Sequence, residues 1–202
     1  MVNRLYIPAF FAYALLLSSC QESVVSEDAL KVYISKPENG LIKNKEGDGS
    51  AIQVTYRPVD MLVMQEKKSN PSLSLVGLDS VRKSYDKFLY FIIKISMNHH
   101  DIFGVSSSSL QKFSEQLSEI SFHLKDKVHL ITSANDTIPV ADYVYPRMYN
   151  TTDGTSLLFS FSRENLKDVV YMDFVLENSA IVIDAGEFRF RLKDINKVPK
   201  LF

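Results

Sequence analysis

The sequence predicts a mainly β protein, an antiparallel β-sandwich with two or three short helices. Two observations lead to this fold class. Apolar and polar residues alternate with a period of two in about eight short segments, and turn-forming residues separate most of these segments. Helical spacing of apolar residues occurs in only two or three places. An immunoglobulin-like sandwich is the favoured form, while jelly-roll-like and open α+β topologies stay open.

The first 19 residues have the pattern of a signal peptide. Arg4 supplies a positive charge, and an uncharged, largely apolar run follows from Leu5 to Leu17. A transmembrane helix needs roughly 20 apolar residues, and this run is shorter. We therefore expect residues 1–19 to be removed as a leader.

The run ends in Leu17-Ser18-Ser19-Cys20, which contains the only cysteine of the chain. These four residues resemble the lipobox of bacterial lipoproteins. The resemblance implies cleavage before Cys20, a diacylglyceryl group on its sulfur and acylation of the new amino terminus. It also implies a lipid anchor in a membrane of the bacterial cell envelope, with the outer membrane or cell surface favoured over the inner membrane. The mature domain would then have no thiol and no disulfide.

Residues 20–28 are short, polar and acidic, so they predict a linker between the lipid and a single β-rich domain at 29–202. The formal charge of the whole chain is −1, and loss of Arg4 with the leader makes it one unit more negative. This balance gives no basic footprint for nucleic acid, and we expect no nucleic-acid partner.

In the first half of the domain, alternation predicts a strand at 51–56. Pro58 then opens a short helix that ends before Asn70-Pro71. The strongest strand is predicted at 87–97. One face of it is apolar throughout, and the other is apolar only near its start, as expected of a strand in the middle of a sheet.

In the second half, apolar spacing predicts a helix at 110–120, opened by a capping box of Ser108 and Gln111. Phe122 and Leu124 alternate into Lys125-Asp126-Lys127, and Val128 and Leu130 resume the alternation, which predicts a hairpin. Further strands are predicted at 138–145, 157–161, 170–176 and 188–192. The last one has an apolar face and a basic face made of Arg189, Arg191 and Lys193.

No catalytic residue, metal site or cofactor is predicted. His99-His100-Asp101 offers three ligand-type side chains, but adjacent strand residues point to opposite faces and no second cluster has zinc spacing, so a polar loop is favoured. His123 and His129 flank the predicted hairpin turn, where two ligands do not make a zinc site. The stretch 104–108 lacks the second glycine of a nucleophile elbow.

The segment 142–150 is the preferred contact surface, through Tyr143, Tyr145 and Arg147. Tyrosine and arginine are the residue types that dominate interface hot spots. The alternative is that the tyrosines pack on the sheet. The sequence thus indicates a membrane-anchored, non-catalytic binding or structural module whose partner is an envelope protein or glycan. A carbohydrate-binding lipoprotein and an envelope hydrolase are the alternatives.

Overall fold

A computed structural model describes residues 24–47, 50–97, 100–102, 109–145, 154–164, 166–179, 181 and 186–201. Within them, the strands are β1 (Ile42–Gly47), β2 (Ser50–Tyr56), β3 (Phe88–Met97), β4 (Val128–Thr132), β5 (Thr137–Val144), β6 (Thr155–Ser162), β7 (Tyr171–Leu176) and β8 (Gly186–Arg191). The helices are α1 (Glu27–Ser35), α2 (Val59–Ser69), α3 (Leu75–Tyr85), α4 (Leu110–Ser118) and α5 (Leu192–Ile195). The mainly antiparallel β architecture with short helices is confirmed.

All eight strands belong to one antiparallel sheet with the order β1-β2-β3-β6-β5-β4-β7-β8. The sheet curls until its end strands lie side by side, since the Lys43 ammonium of β1 is 5.9 Å from the centre of the Phe190 ring of β8. The predicted immunoglobulin-like sandwich is not confirmed, because one continuous ladder joins the strands instead of two separate sheets.

The inner face of the curled sheet holds the main core. Phe91 of β3 is fully buried, with ring centroids 5.0 Å from Phe190, 5.5 Å from Phe174 and 5.9 Å from Phe161. These rings come from four strands. Because successive side chains of a strand point to opposite faces, every second position can place a large side chain in the interior. The prediction that β3 lies in mid-sheet is confirmed, because β2 and β6 flank it.

The described chain ends meet at one place on the domain. The Val25 amide donates to the Lys200 carbonyl at 2.9 Å, and Ser26 caps α1 by accepting from the Ala29 amide. Helix α1 buries Leu30 in the main core. The stretch from Val24 to Asp28 was predicted to be linker, but it pairs with the carboxyl-terminal segment and begins a helix.

Helices α2 and α3 cover part of the outer face of the sheet. The predicted helix after Pro58 is confirmed as α2, whereas α3 has no counterpart in the sequence prediction. Together with Tyr90 of β3 they enclose a second, smaller cluster that includes Val63 and Leu78. Asp60 at the start of α2 is buried and accepts from Arg82 of α3 and from the Leu201 amide. These bonds fix α2 to α3 and to the carboxyl-terminal segment.

Two local predictions at the ends of α4 are wrong. The hairpin predicted around Lys125-Asp126-Lys127 is wrong, because a π-helical turn (Glu119–His123) and a 3₁₀ turn (Leu124–Lys127) continue the helix up to β4. The cap of α4 is Ser109, whose hydroxyl accepts from the Lys112 amide, and not the predicted Ser108. Alternation of Phe122 and Leu124 misled the prediction because Phe122 is exposed rather than packed on a sheet.

Candidate functional site

The outer face of the sheet carries a groove of about 430 Å³ between α2, the end of α3 and strand β5. Its volume falls in the range of ligand sites, roughly 300–1,000 Å³. Twelve residues from five elements and their ends line it: Leu62, Gln65, Glu66, Tyr85, Phe88, Tyr90, Ala141, Asp142, Tyr143, Val144, Leu158 and Ser160.

The helical wall is held by a hydrogen bond between side chains of α2 and α3. The Tyr85 hydroxyl donates to Glu66 Oε1 at 2.7 Å. Burial and the neighbouring Glu66 carboxylate raise the pKa of Tyr85 to about 12. Tyr85 therefore stays a neutral donor at physiological pH and keeps the Glu66 carboxylate at the groove.

Aromatic and aliphatic side chains from β3 and β6 form the floor of the groove. The Tyr85 ring meets Tyr90 edge to face, with centroids 5.8 Å apart, and Phe88 lies 6.4 Å from Tyr90. Burial raises the pKa of Tyr90, with a further contribution from the Asp86 carboxylate. Leu158 continues this apolar surface toward β5. The floor is thus largely apolar.

A β-bulge shapes the opposite wall on β5. Val140 pairs with Phe161 and Asp142 pairs with Ser160, so the register shifts by one residue between them. Such a shift turns the following side chains to the other face. Asp142 is therefore exposed at the groove instead of pointing into the apolar interior. Its carboxylate accepts from the Tyr143 amide at 2.8 Å, which fixes it in place.

The charge of the groove is negative. Among the described residues that line it, Glu66 and Asp142 are the charged ones. In the part of the chain that the structure describes, neither forms an ion pair with Lys, Arg or His. The groove thus combines an apolar floor with two carboxylates on opposite walls.

Tyr143 and Tyr145, the tyrosines predicted for binding, pack against the main core and do not protrude from the surface. Tyr143 contributes to the groove lining, yet its ring stacks on buried Phe159 at 5.6 Å and its hydroxyl donates to the Ile120 carbonyl at 2.5 Å. Burial raises the pKa of Tyr143. Tyr145 packs against the same core. These contacts match the alternative in which the tyrosines pack on the sheet. Arg147 lies outside the described residues, as does Cys20.

The described histidines considered as metal ligands lie in separate parts of the fold. No group of three or more His, Cys, Asp or Glu in the described ranges could hold a metal ion. His129 on β4 faces Glu177, with 3.9 Å between Nδ1 and Oε1, while His123 belongs to the π-helical turn. They do not face each other across a hairpin, because that hairpin does not form. His99 and the stretch 104–108 lie outside the described residues.

A second depression lies beside the β4–β5 turn and differs in chemistry from the groove. It is lined by Thr132, Asp136, Thr137, Ile138, Pro139, Ser162 and Glu164. None of these described lining residues is aromatic. Ligand sites are mostly apolar with a few placed polar groups, so the groove on the outer face is the better candidate.

No protein-family model matches the chain, and no curated protein and no solved structure matches it significantly. Across the described residues, none of the helices has both the length and the apolar character that a membrane crossing requires.

Sequence reasoning missed most of the groove, including Glu66, Tyr85 and Tyr90. One signal did point to the region. The start of β3 is apolar on both faces, which indicates that another element covers its outer side. That signal identifies a covered surface but not the residues that cover it.

Proposed function

We propose that this protein is a lipid-anchored lipoprotein of the bacterial cell envelope whose domain binds another envelope macromolecule through the groove. The observation that carries the proposal is the groove itself, a cavity with aromatic side chains and two fixed carboxylates. Leu17-Ser18-Ser19-Cys20 supports the lipid anchor. The role is binding or structural, without catalysis.

The polar groups of the groove favour binding over hydrolysis. Ser160, the hydroxyl most like a nucleophile in the lining, donates to the Asp142 backbone carbonyl at 3.0 Å. A catalytic serine would instead bond to a general base. The Glu66 carboxylate accepts from Tyr85, a donor that stays protonated up to high pH. This arrangement suits recognition by fixed groups.

The anchor would hold the domain close to the membrane. Cys20 precedes Val24 by four residues, and an extended chain covers at most about 3.6 Å per residue, so the lipidated sulfur lies within roughly 15–20 Å of Val24. Val24 pairs with Lys200 where the described chain ends meet. The groove lies on the outer face of the sheet. Partners in the same membrane or at its surface would reach it there.

The anchor is tested by Cys20→Ala. We expect the variant to stay uncleaved or to be released from membranes without lipid, because the sulfur that carries the diacylglyceryl group is absent. Mass spectrometry of the membrane fraction measures the modification on the wild-type peptide that begins at Cys20. An unmodified Cys20 thiol in the mature wild-type protein contradicts the lipoprotein assignment.

The groove is tested with a photo-crosslinking amino acid at Val144, which is 53% exposed on its rim. The matched control position is Val170, which is 66% exposed and is not part of the lining. In intact cells we expect a defined adduct from position 144 but not from position 170. Addition of Ser160→Trp, which fills the groove, should abolish that adduct. Equal labelling at both positions would remove the groove as the contact surface.

A further inference from the structure

We propose that the groove receives a lysine or arginine side chain of a protein partner, flanked by apolar residues of that partner. This inference rests on the proposed function, because it names the chemistry of the ligand for the same groove. Three features carry it: the apolar floor, the negative walls and the internal hydrogen bonds of the Tyr85 and Ser160 hydroxyl groups.

The floor fits the aliphatic stem of a long basic side chain. Phe88, Tyr90 and Leu158 present carbon surface between the two walls, and Val144 extends it at the rim. Lysine and arginine bury their methylene groups along such surfaces while the charged end stays near polar groups. Flanking apolar residues of the partner would cover the exposed part of Val144.

The walls fit the charged end. Glu66 Oε1 is occupied by the Tyr85 hydroxyl, and the described residues give Oε2 no hydrogen-bond partner, so Oε2 can accept from a ligand. Asp142 presents the second carboxylate on the facing strand. The face of the Tyr85 ring offers a further attraction to a cation. An anionic ligand would meet two like charges, and the described residues of the lining include no lysine or arginine.

The internal hydrogen bonds favour a protein partner over a neutral glycan. A saccharide needs several donors and acceptors for its hydroxyl groups. In this groove the Tyr85 hydroxyl donates to Glu66 and the Ser160 hydroxyl donates to the Asp142 carbonyl. Fewer polar groups therefore remain for sugar hydroxyls, whereas carboxylates pair most strongly with cations.

The experiment measures binding of three peptides to the mature lipoprotein in detergent, by fluorescence anisotropy with an uncharged dye. The probes are acetyl-Leu-Arg-Leu-amide, the same peptide with citrulline in place of arginine, and the same peptide with glutamate. Citrulline keeps the shape of arginine and removes its charge. We expect binding of the arginine peptide, at least about fivefold weaker binding of the citrulline peptide and the weakest binding of the glutamate peptide.

Variants locate the effect in the groove. Glu66→Gln and Asp142→Asn keep an oxygen acceptor for Tyr85 and for the Tyr143 amide, so the fold should persist. Each should weaken the arginine peptide about threefold to tenfold, and added salt should reduce the difference. Glu46→Gln is the matched control, because Glu46 is an exposed carboxylate on β1 outside the lining. It should leave binding unchanged.

The remaining outcomes separate the two proposals. Failure of the arginine peptide to bind, or equal binding of the arginine and citrulline peptides, overturns the basic-side-chain inference. The groove would still be the contact surface if the adduct at position 144 persists. Competition for that adduct by a neutral chitin oligosaccharide, with no effect of the peptides, would replace the protein partner with a glycan. Absence of the adduct removes the proposed function itself.

Discussion

The inner and outer faces of the sheet bury apolar side chains in different ways. Inside, Phe91 is 0% exposed and meets other aromatic rings from β2, β6, β7 and β8. Outside, α2 and α3 cover Tyr90 with side chains that include Val63 and Leu78, but β5 is left partly open. The curl of the sheet closes the interior on itself, whereas the outer face depends on two added helices.

This difference assigns stability mainly to the inner face and recognition to the outer face. The interior has rings packed from many strands, and its function is to hold the fold. The outer cluster is smaller, and its edge is the groove with exposed Val144 and Asp142. Incomplete cover of an apolar surface is what leaves a site for a partner. The outer face can therefore change with less effect on the fold than the inner face.

The largest expected effect comes from Phe91→Ala. Loss of a fully buried ring should lower the free energy of unfolding by about 3–5 kcal/mol, because the lost transfer energy adds to the cost of a cavity. Chemical denaturation with far-ultraviolet circular dichroism measures it. The control is Phe122→Ala, since Phe122 is 70% exposed and its loss should stay within about 0.5 kcal/mol. Equal losses would contradict an interior held together by Phe91.

A smaller effect is expected from Leu78→Ala in the outer cluster. Leu78 is 5% exposed, and the truncation should cost about 2–3 kcal/mol, the lower part of the range for leucine. Hydrogen exchange should show faster opening of α2 and α3 while the amides of β3 stay protected, because regions open separately.

Leu75→Ala is the matched control on the same helix, because Leu75 is 82% exposed. Its effect should be within about 0.5 kcal/mol. If Leu78→Ala instead makes the amides of β3 exchange as fast as those of the helices, the two faces form one cooperative unit. That result would contradict separate opening of the outer face.

The smallest effect concerns the ion pairs of Glu27, with Lys31 in α1 and with Lys68 in α2. Hydrogen bonds from Lys68 and Lys31 lower the pKa of Glu27 to about 2, from an ordinary value of 4.5. A carboxyl group with a lowered pKa in the folded state stabilises the protein above about pH 4.5, and that stabilisation is lost as the pH falls toward 2. Glu27→Gln should therefore flatten the dependence of unfolding free energy on pH in this window.

Denaturation curves at pH 6, 4 and 2.5 check this effect, with Glu46→Gln as the control. Glu46 has no ion pair within the described residues. A control that flattens the profile equally would show that the effect is not specific to the pairs of Glu27.

The groove was only partly visible in the sequence. The tyrosines and arginine of segment 142–150 predict a contact surface. Asp142, Tyr143 and Val144 of this segment line the groove. The bulge decides which of these face outward, and it depends on pairing with β6. Glu66 and Tyr85 lie far from this segment along the chain. Their proximity comes from packing of helices on the sheet, which no local pattern encodes.

Helix α3 was missed for a related reason. Its first two residues, Leu75 and Val76, are apolar but more than 80% exposed, while Leu78 is buried. Leu78, Val81 and Tyr85 do have helical spacing and pack in the outer cluster, but the exposed apolar residues before them obscure that pattern in the sequence. The cap at Ser74, whose hydroxyl accepts from the Gly77 amide, is a local signal that could have located its start.

The sequence by itself determined the strands other than β1, because alternation with a period of two shows which side chains face the core and which face solvent. In β8, Phe188 and Phe190 are buried, while Arg189 points outward, bonds to Asp173 and stacks on Tyr171. Only the tertiary structure decided that the strands form one curled sheet, that 119–127 stays helical and that five elements meet at a groove. Those outcomes depend on contacts between residues distant in the chain, whose free energy exists only once the chain has folded.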